Sequence, residues 1–159
     1  MDTAAGLLAV FLLVLTNGFF VAAEFGLVGA RRTRLAQLAE QGNVNAKAAQ
    51  TAVRHLDSSI AATQLGITLA SLALGWIGEP AISHIFEPVL EHILPPELME
   101  AAGFAIASII SFSLVTLLHI VIGELAPKAI ALQQPESAAM ITARPLNLFL
   151  RVFHPIIRM

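Results

Sequence analysis

The stretch AAGFAIASIISFSLVTLLHIVIGELAPK, residues 101–128, decides how this chain folds. From Ala101 to Gly123 it contains no Asp, Glu, Lys or Arg, and the run closes on Glu124, Pro127 and Lys128. A hydrocarbon slab about 30 Å thick is crossed by about 20 helical residues. Lipid offers no partner to an exposed N–H or C=O, so a segment of this length and character must be helical. Two more segments meet the same condition. Thr3 to Ala23 is uncharged, and Phe25 to Ala30 prolong it past Glu24; Ser58 to Gly78 is likewise uncharged. The sequence therefore predicts one domain over residues 1–159 with spans at about 3–30, 58–78 and 101–124.

Composition points the same way. The 159 residues are 57% hydrophobic and 13% charged, against about 25% charged in a soluble domain. A chain this short cannot bury that much apolar surface in its own core, and lipid is the natural cover. With no cysteine, disulfides, thiolate metal sites and cysteine nucleophiles are excluded. No basic block with interleaved aromatics is present, so no nucleic-acid partner is expected. A cleaved signal peptide has its basic residues in front and a shorter apolar run. Here Asp2 stands in front and Arg31-Arg32-Thr33-Arg34 behind, so the first run is a span.

The charges orient the spans. Arg31, Arg32, Arg34, Lys47 and Arg54 lie between the first two spans, and Lys128, Arg144, Arg151 and Arg158 follow the third. Residues 79–100 carry no Lys or Arg but five glutamates. The positive-inside rule places the N-terminus outside, the 31–57 loop and the C-terminus in the cytoplasm, and the 79–100 loop outside, as expected of a multi-pass protein of the cell (inner) membrane. Within the cytoplasmic loop, residues 31–41 read as the first helix emerging or a short separate helix, closed by Gly42-Asn43, and a second helix is predicted over about 45–56, with Asp57 or Ser58 capping the second span. Pro80 to Ile93 reads as a short extracellular helix stopped by Pro95-Pro96. Pro127 and Pro135 are expected to break the chain after the third span. Beyond them, Leu146, Phe149, Leu150 and Phe153 form an apolar stripe flanked by Arg144, Arg151 and Arg158, which predicts a juxtamembrane amphipathic helix at about 137–157 rather than a fourth span. The fold class is all-α integral membrane.

Polar residues inside the spans are the candidates for chemistry. Glu24 and Glu124 each follow a full-length apolar run near the cytoplasmic side. A carboxylate there faces a bundle interior, pairs, or marks an ion path; at the headgroup level it simply stays hydrated. Glu124 sits among Gly123, Pro127 and Lys128, a setting for a broken helix whose free carbonyls lie beside the carboxylate. Asn17 and Glu24 share a face of the first span. Gln64, Thr68 and Ser71 share one on the second, and Ser113, Thr116 and Glu124 one on the third. Hydroxyls of this kind also serve as ordinary glue between membrane helices, whereas the amides of Asn17 and Gln64 are costlier to bury. Such a pocket would be lined by oxygen, which suits Mg²⁺, Ca²⁺, Mn²⁺ or Na⁺ better than zinc or copper; one or two carboxylates with retained water is the habit of Mg²⁺. His119 lies inside the third span, five residues from Glu124 and off its face in an α-helix. His84, Glu87, Glu91 and His92 read as the solvated face of the outer helix, and His55 and His154 as surface residues. No nucleophile elbow, phosphate-binding glycine loop or His-Glu-x-x-His zinc motif is present, so no enzyme is predicted.

Four stretches carry a resemblance: Asn17-Gly18-Phe19-Phe20-Val21-Ala22-Ala23-Glu24-Phe25, Thr63-Gln64-Leu65-Gly66-Ile67-Thr68-Leu69-Ala70-Ser71, Leu74-Gly75-Trp76-Ile77-Gly78-Glu79-Pro80 and Gly123-Glu124-Leu125-Ala126-Pro127-Lys128. In this order they closely resemble the membrane domain of the CorC/CNNM family, over essentially the whole chain. The resemblance implies export of Mg²⁺ from the cytoplasm, with Na⁺ entry as the proposed driving force. It also implies a homodimer formed through the membrane domain and cytoplasmic CBS modules in the full-length protein, absent from residues 1–159. By the same resemblance Glu124 matches the acidic ligand of the third span. Gln64 and Thr68 stand where many members carry Asn, and Ala23 stands where many carry Ser, leaving a backbone carbonyl. The metal site expected here is thus Glu124, with neutral oxygens from Gln64, Thr68 and Asn17 and carbonyls at Ala23 and Gly123. Glu24, Ser71, Ser113 and Thr116 are expected on the ion path or in packing. Two rival readings are a Mg²⁺-sensing regulatory membrane module without a path of its own, and a membrane anchor for cytoplasmic modules.

Overall fold

A computed structural model describes residues 3–157, apart from the side chain of Ile156. It is helical in order α1 (Thr3–Gly29), α2 (Arg32–Glu40), α3 (Val44–Arg54), α4 (Leu56–Ile93) and α5 (Pro96–Leu118), then a π-helical segment (His119–Leu125), α6 (Ala126–Gln133) and α7 (Pro135–Ile157). Three helices are long and apolar enough to cross a membrane: Thr3–Gly29, Leu56–Ile93, and the continuous run Pro96–Gln133. The protein is multi-pass. Large side chains left bare, among them Leu8, Phe11, Leu72, Phe104, Ile109 and Phe112, lie on these spans and form an apolar outer surface suited to lipid or to another membrane helix.

α1 is the central helix. It packs against α4 on one side and against α7, α6 and the π segment on another. Two apolar clusters hold it. Toward its N-terminal end, Val10 and Val14 of α1 meet Leu74 and Ile82 of α4 and Val115 of α5. Toward the other end, Phe20, Ala23 and Leu27 meet Leu35, Val53 and Leu146, which fastens the loop helices and α7 to the span. Close approach is set by glycine. A Cβ on Gly26 would stand 2.8 Å from the backbone nitrogen of Ala139, and one on Gly66 would stand 2.5 Å from the ring of Phe20. Small residues at such crossings let membrane helices approach to backbone contact.

The corner where α1, α2, α3 and α7 meet is tied by specific polar contacts. Gly42 takes φ +90°, where only glycine is unstrained. Asn43 then caps α3, its Oδ1 accepting from the backbone N–H of Asn45 at 2.9 Å and of Ala46 at 3.0 Å. Arg31 Nε donates to Glu136 Oε1 at 2.8 Å, joining the end of α1 to the first turn of α7. That guanidinium, through its hydrogen bond first, holds the Glu136 carboxyl below the usual carboxylate range.

Three local expectations are corrected. α4 is not capped by Asp57 or Ser58: it starts at Leu56 with His55 before it and no side-chain cap. Ser59, one residue further on, donates to Ala52 O at 2.9 Å, so α4 is anchored to the last turn of α3. Pro80 to Ile93 is helical as expected but is not a separate helix. α4 runs through Pro80 and Pro88 to Ile93, and its 38 residues rise about 57 Å, well past the hydrocarbon slab. Finally, Pro127 does not break the third span. It falls in the first turn of α6, where a missing N–H is tolerated, and the π segment before it absorbs the mismatch. α7 begins at Pro135.

Candidate functional site

The site forms where α1 crosses the π segment. In a π-helix the backbone bond runs from residue i to i+5, and the N–H of Ala126 donates to Val121 O. Pro127 has no N–H for the carbonyl of Gly123, four residues back. Asn17 supplies one: its Nδ2 donates to Gly123 O at 3.0 Å. Gly18, next in sequence, makes room for the proline, since a Cβ there would stand 2.9 Å from Pro127 Cγ. One helical turn or two along, Lys128 Nζ lies 4.6 Å from the centre of the Phe25 ring. The first and fourth sequence stretches are thus two halves of one contact.

Asn17 is fully buried, and its Oδ1 has no hydrogen-bond partner. A buried polar atom without a partner is costly and uncommon. Here it is an oxygen, held rigidly by the amide's other end, beside a segment that carries Gly123 and Glu124. Ala23, on the same helix, is fully buried with its side chain in the core, so only its backbone oxygen could serve a ligand.

Glu124 makes its hydrogen bond within its own segment. His119 Nε2 lies 3.0 Å from Glu124 Oε1, an imidazole N–H donating to the carboxylate. His119 is the more enclosed of the two, with side-chain exposures of 15% and 45%. The expectation that His119 lies off the Glu124 face is corrected: the i, i+5 repeat of the π segment brings the two together.

The other candidates divide. Glu24 faces Thr63, whose Oγ1 lies 3.3 Å from Glu24 Oε2 and donates to Ile60 O at 2.8 Å. Thr63 is fully buried and was not singled out by sequence. Gln64 and Thr68 are exposed. Thr68 Oγ1 donates to Gln64 O at 2.8 Å, and neither side chain hydrogen-bonds Asn17, Gly123 or Glu124. Ser113 is exposed and donates to Ile109 O at 2.7 Å. Ser71 and Thr116 do converge. They line a cavity of about 190 Å³ between α4 and α5, together with Glu79 and His119. Ser71, Thr116, Glu79 and His119 thus border one small, mostly apolar cavity, and His119 in turn contacts Glu124. Among the described residues no group of three or more His, Cys, Asp or Glu could hold a metal ion; a cation held beside Glu124 would need neutral oxygens as well.

Comparison with known proteins agrees with this architecture. A family model described as the cyclin M transmembrane N-terminal domain, CNNM, matches residues 7–159. The UPF0053 protein YhdT of Bacillus subtilis (strain 168) is 41% identical over 157 residues, covering 99% of this chain and 33% of that protein. YugS of the same organism is 38% identical, covering 96% of this chain and 35% of its own length. A UPF0053 protein of Synechocystis, sll0260, is 36% identical over 93% of this chain and 32% of its own. The chain thus spans about a third of the length of these curated relatives. With almost its whole length matched by the family model, the chain belongs to the CNNM family, as its transmembrane domain.

Proposed function

We propose that this domain moves Mg²⁺ across the cell membrane, exporting it from the cytoplasm in exchange for entering Na⁺. It acts by carrying an ion and not as an enzyme. Glu124 supplies the charge that replaces part of the hydration shell. Asn17 Oδ1 and the carbonyls of Gly123 and Ala23 supply fixed neutral oxygens. Gln64 and Thr68, exposed on α4, join them as the pocket closes. A small hard cation with one carboxylate, neutral oxygens and retained water is the coordination habit of Mg²⁺.

The observation that carries this reading is Asn17: fully buried, one end of its amide on Gly123 O and the other end without a partner. Helical irregularity in a membrane is tolerated where it is buried in protein or lines a cavity, and that is where transporters place cation sites. The cavity bordered by Ser71, Glu79, Thr116 and His119, next to Glu124 through His119, supports a path toward the outer face. The basic residues of the 31–57 loop and of α7 support a cytoplasmic placement for that side. The third span supports a homodimer: only 17% of its most apolar window is buried within the chain, leaving α5 free to meet a second copy. CBS modules are proposed for the full-length protein.

The test is Mg²⁺ flux in proteoliposomes loaded with a Mg²⁺-sensitive dye, with and without a Na⁺ gradient. The proposal expects flux that Na⁺ drives and Glu124→Gln abolishes. Saturable binding without flux would make the domain a regulatory module instead. Neither binding nor flux would leave it an anchor.

A further inference from the structure

Away from the ion site, α3 and α7 enclose a recess of about 610 Å³. Lys47, His55, Arg144, Arg151 and His154 line it, and no Asp or Glu does. Among the described residues, none of these five lies within ion-pair distance of a carboxylate. The walls are fixed to each other, because Asn147 Nδ2 on α7 donates to Ala48 O on α3 at 3.3 Å. Apolar side chains complete the lining, with Ala52, Leu148 and Leu150 among them. A recess lined by cationic and apolar side chains together is complementary to an anion attached to a hydrocarbon.

A second depression lies beside it. An apolar groove of about 570 Å³ runs between α1 and α7, past Leu12, Phe19 and Phe149, and Leu148 lines both the groove and the basic recess. Ile141, Leu148 and Val152 are exposed by 73%, 64% and 65%. At helical spacing they form one apolar stripe on α7, between the face bearing Arg144 and Arg151 and the face bearing Phe149. The basic recess therefore opens directly onto a lipid-facing surface, at the end of the molecule that the basic residues place at the cytoplasmic leaflet.

We propose that the recess between α3 and α7 binds the phosphate of an anionic membrane phospholipid, whose acyl chain passes over Leu148 into the groove between α1 and α7. The phosphate chemistry would also suit free inorganic phosphate. The apolar residues of the lining and the groove adjoining at Leu148 select the lipid. Bound there, the lipid bridges α1, α3 and α7, and so links the first span to the helix leading to the C-terminus.

The purified chain in a neutral detergent is titrated with short-chain phosphatidylglycerol, with phosphatidylcholine of the same chain length, and with sodium phosphate, and bound lipid is counted by native mass spectrometry. Saturable binding of phosphatidylglycerol over phosphatidylcholine is expected. Each basic residue near a membrane surface contributes about fivefold to anionic-lipid affinity, so Arg144→Gln with Arg151→Gln should weaken binding by about 25-fold. Arg34→Gln, which alters charge on the same side but not in the recess, should change it less than about twofold, the spread expected of a remote exposed charge. Leu148→Asn should blunt the gain in affinity with longer acyl chains. A loss of about fivefold from Arg34→Gln, equal to the loss per charge in the recess variant, would mean diffuse attraction and overturn the site. Displacement of lipid by sodium phosphate at equal concentration would overturn the lipid assignment in favour of free phosphate.

Discussion

Replacing Asn17 by Leu removes the amide while keeping a side chain of similar size and branching. Folding and ion binding should respond differently, and the structure sets both magnitudes. The Nδ2 bond to Gly123 O, 3.0 Å long, is lost; such bonds between membrane helices average about 0.6 kcal/mol and reach about 1.5 kcal/mol in general. Gly123 O then has no donor from Asn17 and none from Pro127, and an unpaired buried carbonyl costs about 1–3 kcal/mol. Against this, the variant also removes Asn17 Oδ1, which is buried and without a partner, and that relief is of the same size. The two nearly cancel, and stability should fall by about 1 kcal/mol, the lost hydrogen bond. Binding has no such compensation. If Oδ1 is a ligand, its loss should weaken Mg²⁺ affinity about ten- to a hundredfold, the equivalent of about 1.5–3 kcal/mol for a contact to a charged group. Thermal unfolding in nanodiscs reads the first quantity and calorimetric titration the second. Mg²⁺ affinity within twofold of the parent at near-parent stability would refute the assignment of Asn17 as a ligand.

Four further outcomes follow from contacts elsewhere in the fold. Gly26→Ala drives a Cβ to 2.8 Å from the backbone of Ala139, which cannot rotate away, so overpacking of about 1–3 kcal/mol should exceed the roughly 1 kcal/mol of helix propensity gained. Gly75→Ala meets nothing within 4 Å and should raise stability by about 0.5–1 kcal/mol; thermal unfolding of the pair checks both signs. His119→Leu strips Glu124 of its imidazole partner and should lower stability by about 1 kcal/mol, with most of it restored by His119→Gln, which returns an N–H near the Nε2 position; equal stability of the two variants would remove the hydrogen bond from the account. Glu136→Gln should destabilise at neutral pH only. The Glu136 carboxyl is held below its ordinary value by Arg31, so its contribution is complete above the unfolded carboxylate pKa of about 4.3 and is lost as pH falls through the lowered value. Denaturation curves of variant and parent should therefore converge in strong acid.

Much of the architecture was legible because lipid imposes simple rules. Apolar runs of span length, and basic residues confined to alternate loops, leave few arrangements for three helices. Asn17 could be picked out because an amide in a membrane helix is expensive, and the structure gives it a buried place against Gly123. What sequence reasoning missed depended on departures from the α repeat. In an α-helix His119 and Glu124 are about 140° apart around the axis, so His119 was set aside; the π segment closes that gap. Pro127 looked like a stop because its missing N–H breaks an ordinary helix, whereas here it stands in the first turn of α6 and Asn17 serves the orphaned carbonyl. The paired requirement, an amide on α1 facing a proline-starved carbonyl on the third span, is visible only once the two helices are side by side. Thr63 carried no signal beyond that of any hydroxyl in a span, and Glu79 read as one of five outer glutamates until α4 was seen to continue unbroken past it.

Calorimetric titration of the domain in nanodiscs with Mg²⁺, with and without Na⁺, in the parent and in Glu124→Gln, tests the central claim most directly. The account predicts saturable binding by the parent, weakened by Na⁺ and absent in the variant. Equal binding by parent and variant would contradict the assignment of Glu124 and the ion site built around it.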